Sequence, residues 1–281
     1  MVVLDLLDRY LTRKERHGGQ LVKFETVLFL GLVIIVYGAI QFGGLALAPQ
    51  IDQLLSDVGG WVSRWLKRPL LERPISGFWL VSITGLLFYL SGLWDYLIHR
   101  FFSHSRRFWF THEYHHLPSE VFVAMPGLSV RPFAVISAFP ATLATVISAY
   151  ALLVAFGLPM WDLQPLKLLL LFHLTLLAAS HSSFLRRFWL LHHVMKWLAL
   201  TTPQEHVLHH TVDLRGNYGN FTILWDRLFG TYLDPTLSEN QGHALGLPYD
   251  QDFLGAITLG KLKLPKRLRE RFQIGWYCNI D

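Results

Sequence analysis

Residues 77–104 read GFWLVSITGLLFYLSGLWDYLIHRFFSH, and this stretch determines the type of fold. Apart from Asp95, residues 77–97 carry no charge, and a helix rising about 1.5 Å per residue over that length crosses a hydrocarbon core of roughly 30 Å. The stretch ends with Asp95, His99 and His104, which are residue types that bind metal ions or support their ligands. It therefore predicts a membrane-spanning helix that runs into a metal site.

Three further stretches without charged side chains lie at residues 26–49, 132–161 and 168–185. Charged residues make up 16% of the chain, against about 25% in soluble domains. The pattern predicts an all-α, multi-span transmembrane bundle of about four spans, whose last two helices form a hairpin around Gly157 and Pro159. Pro140 interrupts the first helix of that hairpin.

The basic residues predict the orientation. Most Lys and Arg lie in the N-terminal segment, in 100–131 and after residue 186, and positive residues favour the cytoplasmic side. We therefore expect a multi-pass protein of a bacterial inner membrane or of the ER membrane, with its histidines in a helical cap on the cytoplasmic face. Residues 1–23 predict a short amphipathic segment, and 50–76 an interfacial helix anchored by tryptophans.

Most of the 14 histidines form three boxes. On a helix, positions i, i+3 and i+4 share one face, so each His-x-x-His-His aims its imidazoles to one side. The two histidines of the first box are five apart, which predicts a wide or π-type turn at the end of the span. The boxes are His99 and His104; His112, His115 and His116; His206, His209 and His210.

Eight imidazoles are too many for one metal ion, since a single zinc site takes three or four protein ligands. They suit two ions with four or five nitrogens each, which leaves positions open for dioxygen. The chain has one cysteine, Cys278, so a thiolate zinc site or an iron–sulfur cluster is excluded. No nucleic-acid-binding motif is present, and we read the net charge of +5 as a membrane-surface feature.

These motifs resemble the fatty acid hydroxylase/sterol desaturase superfamily of membrane di-iron enzymes. Asp95-Tyr-Leu-Ile-His99-Arg100 resembles the start of the family's first box, and Thr202-Pro-x-x-His206-x-x-His209-His210 resembles its third. Asn217-Tyr-Gly and Trp225-Asp-Arg-Leu-Phe-Gly-Thr231 are also similar. Many sterol-desaturase-like members place a histidine where Ser103 stands; the longer spacing to His104 is similar to fatty acid 2-hydroxylases and argues against a sterol subgroup.

The resemblance implies two iron ions as cofactors, with zinc possible in purified protein, and O2 as co-substrate. It implies hydroxylation of an aliphatic carbon of a lipid, such as a fatty-acyl chain or a sterol, that enters from the bilayer. Electrons must come from a separate ferredoxin, cytochrome or reductase, because the chain has no dinucleotide or haem-binding motif. The implied organisation is an N-terminal part at 1–76, a catalytic domain at 77–235 and a cytoplasmic tail at 236–281.

Further residues are expected around the ions. The family shows a histidine between the second and third boxes, which makes His181 the expected ninth ligand. A ligating imidazole usually donates its other N–H to a carboxylate or carbonyl, which makes acidic residues near the boxes candidate supports. These are Asp95, Glu113, Glu205 and Asp213. His192 and His193 are weaker candidates for ligands or supporting groups, and Asp226 is equally well explained as the anchor of a turn.

Three alternatives stay open on the sequence. The same di-iron centre supports desaturation or aldehyde decarbonylation. A membrane electron carrier with bis-histidine haems predicts single histidines on facing spans. A zinc-binding transporter or sensor predicts ligands along a path at the centre of the bilayer.

Overall fold

The computed structural model describes residues 2–11, 23–67, 75, 77–121, 123, 133–159, 162–213, 215–272 and 274–275. Within these residues the chain is mostly α-helical and contains no β-strand; strand-like pairing is confined there to isolated bridges between Leu200 and Thr222 and between Thr211 and Leu245. The predicted all-α class is confirmed for this part of the chain.

The described residues form α-helices, one π-helix and three short 3₁₀ turns. The π-helix is Ile98–Ser103, directly after α3, and the 3₁₀ turns are Trp109–Thr111, Leu185–Arg187 and Ser238–Asn240. The α-helices are α1 (Val2–Leu11), α2 (Lys23–Leu66), α3 (Gly77–Leu97), α4 (Glu113–His116), α5 (Ala134–Ala155), α6 (Gln164–Ser180), α7 (Trp189–Trp197), α8 (Pro203–His209), α9 (Leu224–Leu228), α10 (Phe253–Ile257) and α11 (Lys266–Phe272).

Helix α3 is the centre of the bundle and packs against both α5 and α6. Its buried residues Leu87 and Phe88 share one core cluster with Ala149 of α5 and with Leu169 and Leu176 of α6. Close packing of apolar side chains along three helices removes their surface from water or lipid and fixes their relative positions. The end of α3, where the histidines begin, is therefore held by two neighbours.

Polar links inside the bundle reinforce this packing. Trp94 Nε1 donates to Ser148 Oγ on α5 at 2.8 Å, and His173 Nε2 on α6 lies 3.1 Å from Ser91 Oγ on α3. Phe221 stacks on the His173 ring with centroids 3.9 Å apart. In an apolar environment such interhelical hydrogen bonds satisfy groups that have no other partner. His173 therefore serves helix packing and not the histidine boxes.

The predicted hairpin is present as α5 and α6. Gly157 has φ +68°, a conformation that favours glycine, and it lies just after the end of α5. Asp162 is buried in the connection and accepts the backbone N–H of Gln164 at 3.0 Å and of Ile75 at 2.6 Å. One carboxylate therefore caps the start of α6 and ties the hairpin to the entry of α3.

Two helices among the described residues are long and apolar enough to cross a membrane: Gly77–Ser103 and Ala134–Ala155. Helix α6 is apolar but shorter, at 17 residues. Large apolar side chains on these helices are exposed, such as Val81 and Ile147, which fits a lipid-facing surface. The observations indicate membrane association; four spans and a cytoplasmic histidine face stay predictions.

The N-terminal part differs from the expectation. Residues 50–66 do not form a separate interfacial helix, because they continue the 44-residue helix α2. Pro49 lies inside this helix, and the uncharged stretch 26–49 forms its first half. The rest of the expected interfacial segment, residues 68–74 and 76, lies outside the described residues. At about 1.5 Å per residue, α2 is roughly twice as long as a membrane core is thick.

Described segments near both termini dock against the histidine-rich region. Asp8 of α1 is buried and accepts hydrogen bonds from Ser182 Oγ at 2.8 Å and from the N–H of Phe184 at 2.9 Å. The expected cytoplasmic tail is folded over its described residues 236–272, and its Gln251 is buried against Glu113. The two terminal segments therefore belong to the structure around the histidines.

Candidate metal centre

The first histidine box lies on the π-helix at the end of α3. His104 N–H donates to His99 O at 3.1 Å, which is the i→i+5 bond of a π-turn. The wider turn brings residues five apart onto one side, and the two imidazole centroids are 5.0 Å apart. The predicted irregular turn is confirmed.

The second box begins at His112 and continues through the short helix α4. His112, His115 and His116 are buried, whereas Tyr114, which lies between His112 and His115 in sequence, packs into an apolar cluster with Leu117. The helical repeat separates these two directions. The apolar contacts of Tyr114 therefore fix which way the histidines face.

The third box lies on α8, whose start is fixed by a capping box. Thr202 Oγ1 accepts the N–H of Glu205 at 3.3 Å, and Glu205 Oε2 accepts the N–H of Thr202 at 3.0 Å. Pro203 follows at the first helical position, where its missing N–H costs nothing. This local sequence starts the helix at one defined residue and so sets the direction of His206, His209 and His210.

The boxes and His181 converge into two groups of four imidazoles. Within each group the candidate ligand atoms all lie within 4.8 Å of one another. The first group is His99, His104, His112 and His209; the second group is His115, His181, His206 and His210. Both helical boxes are divided between the groups, so neither box serves one site alone.

The Nε2 atoms face one another at short range. In the first group, His99 and His112 are 2.8 Å apart and His104 and His209 are 3.3 Å apart at these atoms. In the second group, the Nε2 atom of His206 lies 2.9 Å from that of His181 and 3.1 Å from that of His210. Each group therefore presents several ring nitrogens to one small volume.

His116 lies between the groups. Its ring centroid is 4.7 Å from that of His112, 4.8 Å from that of His209 and 4.7 Å from that of His210. Its Nε2 atom is buried and has no hydrogen-bond partner within the described chain. Burial, followed by the nearby imidazoles, lowers the pKa of His116 well below its usual 6.5. The ring is therefore neutral at pH 7, with a lone pair available as a ligand.

Backbone carbonyls set the tautomer of three imidazoles. His99 Nδ1 donates to Tyr218 O, His209 Nδ1 donates to Gly216 O at 3.1 Å, and His181 Nδ1 donates to Leu177 O at 2.8 Å. A carbonyl only accepts, so the proton is on Nδ1 in each ring. Nε2 then carries the lone pair and points into its group, as a metal ligand requires.

The loop that supplies two of these carbonyls is held by Asp226. This buried carboxylate accepts the N–H groups of Tyr218 and Gly219, both at 2.8 Å, and the hydroxyl of Thr231 at 2.7 Å. A Cβ at Gly219 would collide with Thr222 O. Burial raises the pKa of Asp226 to about 6, against the effect of its hydrogen bonds. Asp226 is thus a turn anchor whose turn orients His99 and His209.

Asn217 fixes the same loop from the other side. It has φ +51°, a conformation that Asn tolerates better than most residues. Its Nδ2 donates to Glu205 O and Leu233 O, both at 3.0 Å. The sequence reasoning did not identify Asn217, Gly216 or Tyr218 as functional residues, although the Asn-Tyr-Gly motif marked the right segment.

Two of the expected supporting carboxylates, Asp95 and Glu205, bind segments that carry or neighbour the histidines. Asp95 accepts hydrogen bonds from the Asn220 backbone N–H at 3.0 Å and side-chain amide at 2.9 Å, and that amide nitrogen lies 3.3 Å from His99 Nδ1. Glu205 caps α8 and accepts the hydroxyl of Tyr232 at 2.9 Å. Burial raises the pKa of Glu205 to about 7.

The other two expected carboxylates lie elsewhere. Glu113 is buried and accepts Tyr249 Oη at 2.7 Å and Gln251 Nε2 at 2.8 Å, so it ties the C-terminal segment to α4. The expectation of a supporting role is wrong for Asp213: its side chain is 69% exposed, and it lies 3.8 Å from His243. Adjacency in sequence to a histidine box misled the assignment because the chain turns outward after residue 211.

His192 and His193 lie outside both histidine groups. His192 is fully buried, and its Nδ1 lies 2.9 Å from Thr202 Oγ1 at the start of α8. Its Nε2 atom has no hydrogen-bond partner in the described part of the chain. His193 is exposed beside it. Of the two, only His192 is placed to influence the third box.

A cavity of about 450 Å³ opens onto the histidines. The cavity is lined by histidines of both groups and by His116. A small molecule bound in the cavity would therefore contact these imidazoles directly. Its lining consists of Arg100, Phe101, His104, Trp109, His116, His209, His210, Thr211, Val212, Arg215, Gly216, Tyr218 and Leu247.

Comparison with known proteins agrees with the geometry. No solved structure matches the chain. The sequence model of one family, fatty acid hydroxylase, matches residues 84–231. This range contains all three boxes, His181 and the loop around Asp226, and it covers more than half of the chain. The chain therefore belongs to the fatty acid hydroxylase family.

Proposed function

We propose that this protein is a membrane oxygenase that holds two iron ions in its histidine groups and hydroxylates an aliphatic carbon of a lipid with O2. The observation that carries the proposal is the convergence of eight imidazoles into two groups, in which every ring except that of His104 is buried. Membership of the fatty acid hydroxylase family supports lipid oxidation as the type of reaction.

The residues fit a pair of metal ions. Because His181 is protonated on Nδ1, its Nε2 offers a lone pair 2.9 Å from the Nε2 atom of His206, and a cation between the two rings would bind both nitrogens. A metal–nitrogen distance of about 2.0–2.1 Å places neighbouring ligand nitrogens roughly 2.8–3.4 Å apart, depending on the angle between them. The observed Nε2 separations run from 2.8 to 3.5 Å. The first group would hold one ion and the second group the other, with His116 between them.

Iron is our assignment for both sites. The donor sets contain only imidazole nitrogen, and such sites bind zinc more tightly than ferrous iron. Zinc in a purified sample would therefore show which metal was available while the protein was produced, and not which metal supports the reaction. The redox inertness of zinc makes an iron form the expected active one.

Bound iron would supply the oxidising chemistry with O2 that breaks an unactivated C–H bond. The protein supplies position and dryness. The carbonyls of Tyr218, Gly216 and Leu177 hold three ligands in one tautomer. The cavity admits substrate on the side of His104 and His116. The four imidazoles of the second group are buried, which keeps bulk water from them.

Two rival reactions use the same centre. Desaturation and aldehyde decarbonylation differ from hydroxylation in the product and not in the ligands, so product analysis separates them. Hydroxylation is our first choice because the spacing from His99 to His104 is similar to that of fatty acid 2-hydroxylases.

Two non-enzymatic alternatives fit less well. Haem iron has two axial positions for protein ligands, whereas each group here gathers four imidazoles. A zinc transporter needs ligands along a membrane path, whereas these groups lie together beyond the end of α3.

Electrons would come from a separate ferredoxin, cytochrome or reductase. The support is the sequence, which has one cysteine and no glycine-rich dinucleotide motif. We also propose that the histidine face lies on the cytoplasmic side of a bacterial inner membrane or the ER membrane, where such donors are available. The enrichment of basic residues around the boxes supports this orientation.

Comparative lipid analysis tests the function. Cells carrying the wild-type chain should contain a lipid with one additional oxygen atom, labelled when 18O2 is supplied, and cells carrying His115→Ala should lack it. His243→Ala, which changes a histidine outside both groups, is the matched control and should behave as wild type. A lipid short of two hydrogens would indicate desaturation, and identical lipids in all three strains would contradict the proposal.

A further inference from the structure

The cavity above the histidines has a charge pattern that the metal site does not require. Its lining includes two guanidinium groups, those of Arg100 and Arg215, and no acidic side chain. Arginine presents several N–H donors in a planar fork that matches carboxylates and phosphates. We propose that the substrate carries an anionic head group, a carboxylate or phosphate, which Arg100 and Arg215 bind; this inference rests on the proposed function.

Arg100 is held in place without an acidic partner. Its Nη1 donates to Tyr96 Oη, and its guanidinium lies 4.9 Å from the Phe101 ring centroid and 5.9 Å from that of Tyr218. Among the described residues it forms no ion pair with a carboxylate. Because Arg100 lines the cavity and is only partly buried, its remaining N–H donors can reach an anion there, and aromatic contacts fix its position in advance.

One acidic residue, Asp226, interacts electrostatically with Arg100, but its carboxylate is already occupied by other hydrogen bonds. Asp226 lies within the electrostatic reach of Arg100, but its two oxygens accept three hydrogen bonds from the loop at Tyr218, Gly219 and Thr231. It is therefore a support for the loop and not a counter-ion in the cavity. The positive charge of Arg100 remains available to a ligand.

Arg215 supplies the second cation at the mouth of the same cavity. It is exposed, and the structure describes no ion pair for it. It directly precedes Gly216, whose carbonyl orients His209, just as Arg100 directly follows His99. Both guanidinium groups are thus one residue away from the metal-facing machinery. An anion held there would place the carbons next to the head group at the histidines.

The position oxidised follows from this placement. An anionic amphiphile bound by Arg100 and Arg215 would expose carbons close to its head group, and its distant chain would extend toward the apolar helices. The same chemistry would also recognise free phosphate, so the test must separate an amphiphile from a simple anion.

Binding without turnover gives the cleanest test. The full-length wild-type protein in detergent would be loaded with a fluorescent fatty acid, which is then displaced by palmitate or by its methyl ester, without reductant. Palmitate should displace the probe at a concentration about tenfold lower than the ester, because only the carboxylate forms charge-assisted hydrogen bonds with guanidinium. Equal potency of acid and ester would overturn the inference.

Variants identify the arginines. Arg215→Gln at the exposed mouth and Arg100→Gln should each bring the ratio of acid to ester potency close to one, with an unchanged dissociation constant of the ester once the weaker binding of the anionic probe is taken into account. Arg215→Gln keeps the test valid if Arg100→Gln does not fold. Arg107→Gln removes an exposed arginine that does not line this cavity and should keep the wild-type ratio. A ratio that persists in both cavity variants, or falls equally in the control, would overturn the assignment.

Two further arms separate the possible failures. Millimolar inorganic phosphate should displace little probe; displacement as effective as that by palmitate would overturn the lipid assignment in favour of a free anion. Oxygenation of neutral lipids as fast as acidic ones would refute the head-group inference while the proposed function stands. Preferential binding of palmitate by a protein without any oxygenase activity would refute the proposed function and leave the head-group inference standing.

Discussion

The first histidine group reaches the cavity through His104 and His209, whereas the second group reaches it only through His210. His104 is partly exposed, and all four members of the second group are buried. The groups also differ in what holds them. The loop anchored by Asp226 orients the first group, and the end of α6, next to the segment bound by Asp8, orients the second. The first group is therefore placed to meet a molecule in the cavity, and the second group is placed to hold its metal ion away from solvent.

The largest expected effect comes from removing one ligand in each group. His112→Ala and His206→Ala should each lower product formation by more than about 100-fold, because loss of a supporting residue alone costs 10- to 100-fold. Each variant should lose about one metal ion per chain and keep the ion of the intact group. Elemental analysis of purified protein and mass spectrometry of the product measure both effects.

These variants also test the division into groups. Loss of both ions in each variant would indicate one shared cluster and not two separable sites. His243→Ala serves as the control for loss of a histidine outside the groups.

The next effect concerns the support of the first group. Asp226→Asn places an amide N–H₂ against backbone N–H groups that now donate to carboxylate oxygens, which should loosen the carbonyls that orient His99 and His209. We expect the metal affinity of the first group to fall by about 10- to 100-fold, with that of the second group unchanged. Titration with a competing chelator measures the two affinities, and equal weakening of both groups would contradict the comparison.

A smaller effect is expected from the support of the second group. Asp8→Asn weakens hydrogen bonds to Ser182 and to the N–H groups of Ser183 and Phe184, which follow His181 directly. Because no carbonyl that binds an imidazole moves directly, the metal affinity of the second group should fall less than about tenfold. The same chelator titration should find the first group unchanged. A fall in the metal affinity of the first group alone would show that Asp8 does not support the second group separately from the first.

The smallest effect concerns an ion pair between Lys196 on α7 and Asp234. Lys196 Nζ lies 2.7 Å from Asp234 Oδ2. Burial acts to raise the pKa of Asp234, but hydrogen bonds from Lys196 and Thr236 outweigh it and lower the pKa to about 2. The pair therefore stabilises the folded protein above the ordinary carboxyl pKa of about 3.8, and this stabilisation is lost as pH falls through about 2.

Lys196→Gln should accordingly lower stability by less than about 1 kcal/mol, since the pair is partly exposed. Thermal unfolding at pH 5 and pH 7 should show the same small difference from wild type, and both metal contents should be unchanged. A difference that disappears between pH 7 and pH 5 would contradict the pKa direction of Asp234.

Part of this site could be predicted from the sequence. The five-residue spacing of His99 and His104 predicted the wide turn that the π-helix provides. The same spacing rule predicted a shared direction for the imidazoles of each helical box. His181, expected from the resemblance, lies in the second group. These features depend on the spacing of nearby residues or on the presence of a histidine, so the amino-acid sequence alone is enough to reveal them.

The remainder depends on packing between distant segments. Nothing in His-x-x-His-His indicates that His209 joins one group and His206 with His210 the other, because the division depends on where the other histidines lie around α8. Every residue has a carbonyl, so the roles of Gly216, Tyr218 and Leu177 became visible only in three dimensions. Asp213 failed as a prediction because the chain leaves the site after α8.

Metal analysis of wild-type protein produced with ample iron, combined with X-ray absorption at the metal edge, tests the central claim most directly. Our account predicts two metal ions per chain, each surrounded by imidazole nitrogen with no sulfur ligand and no haem absorbance. Protein that is folded yet binds no metal, binds a single ion or shows a haem spectrum would contradict it.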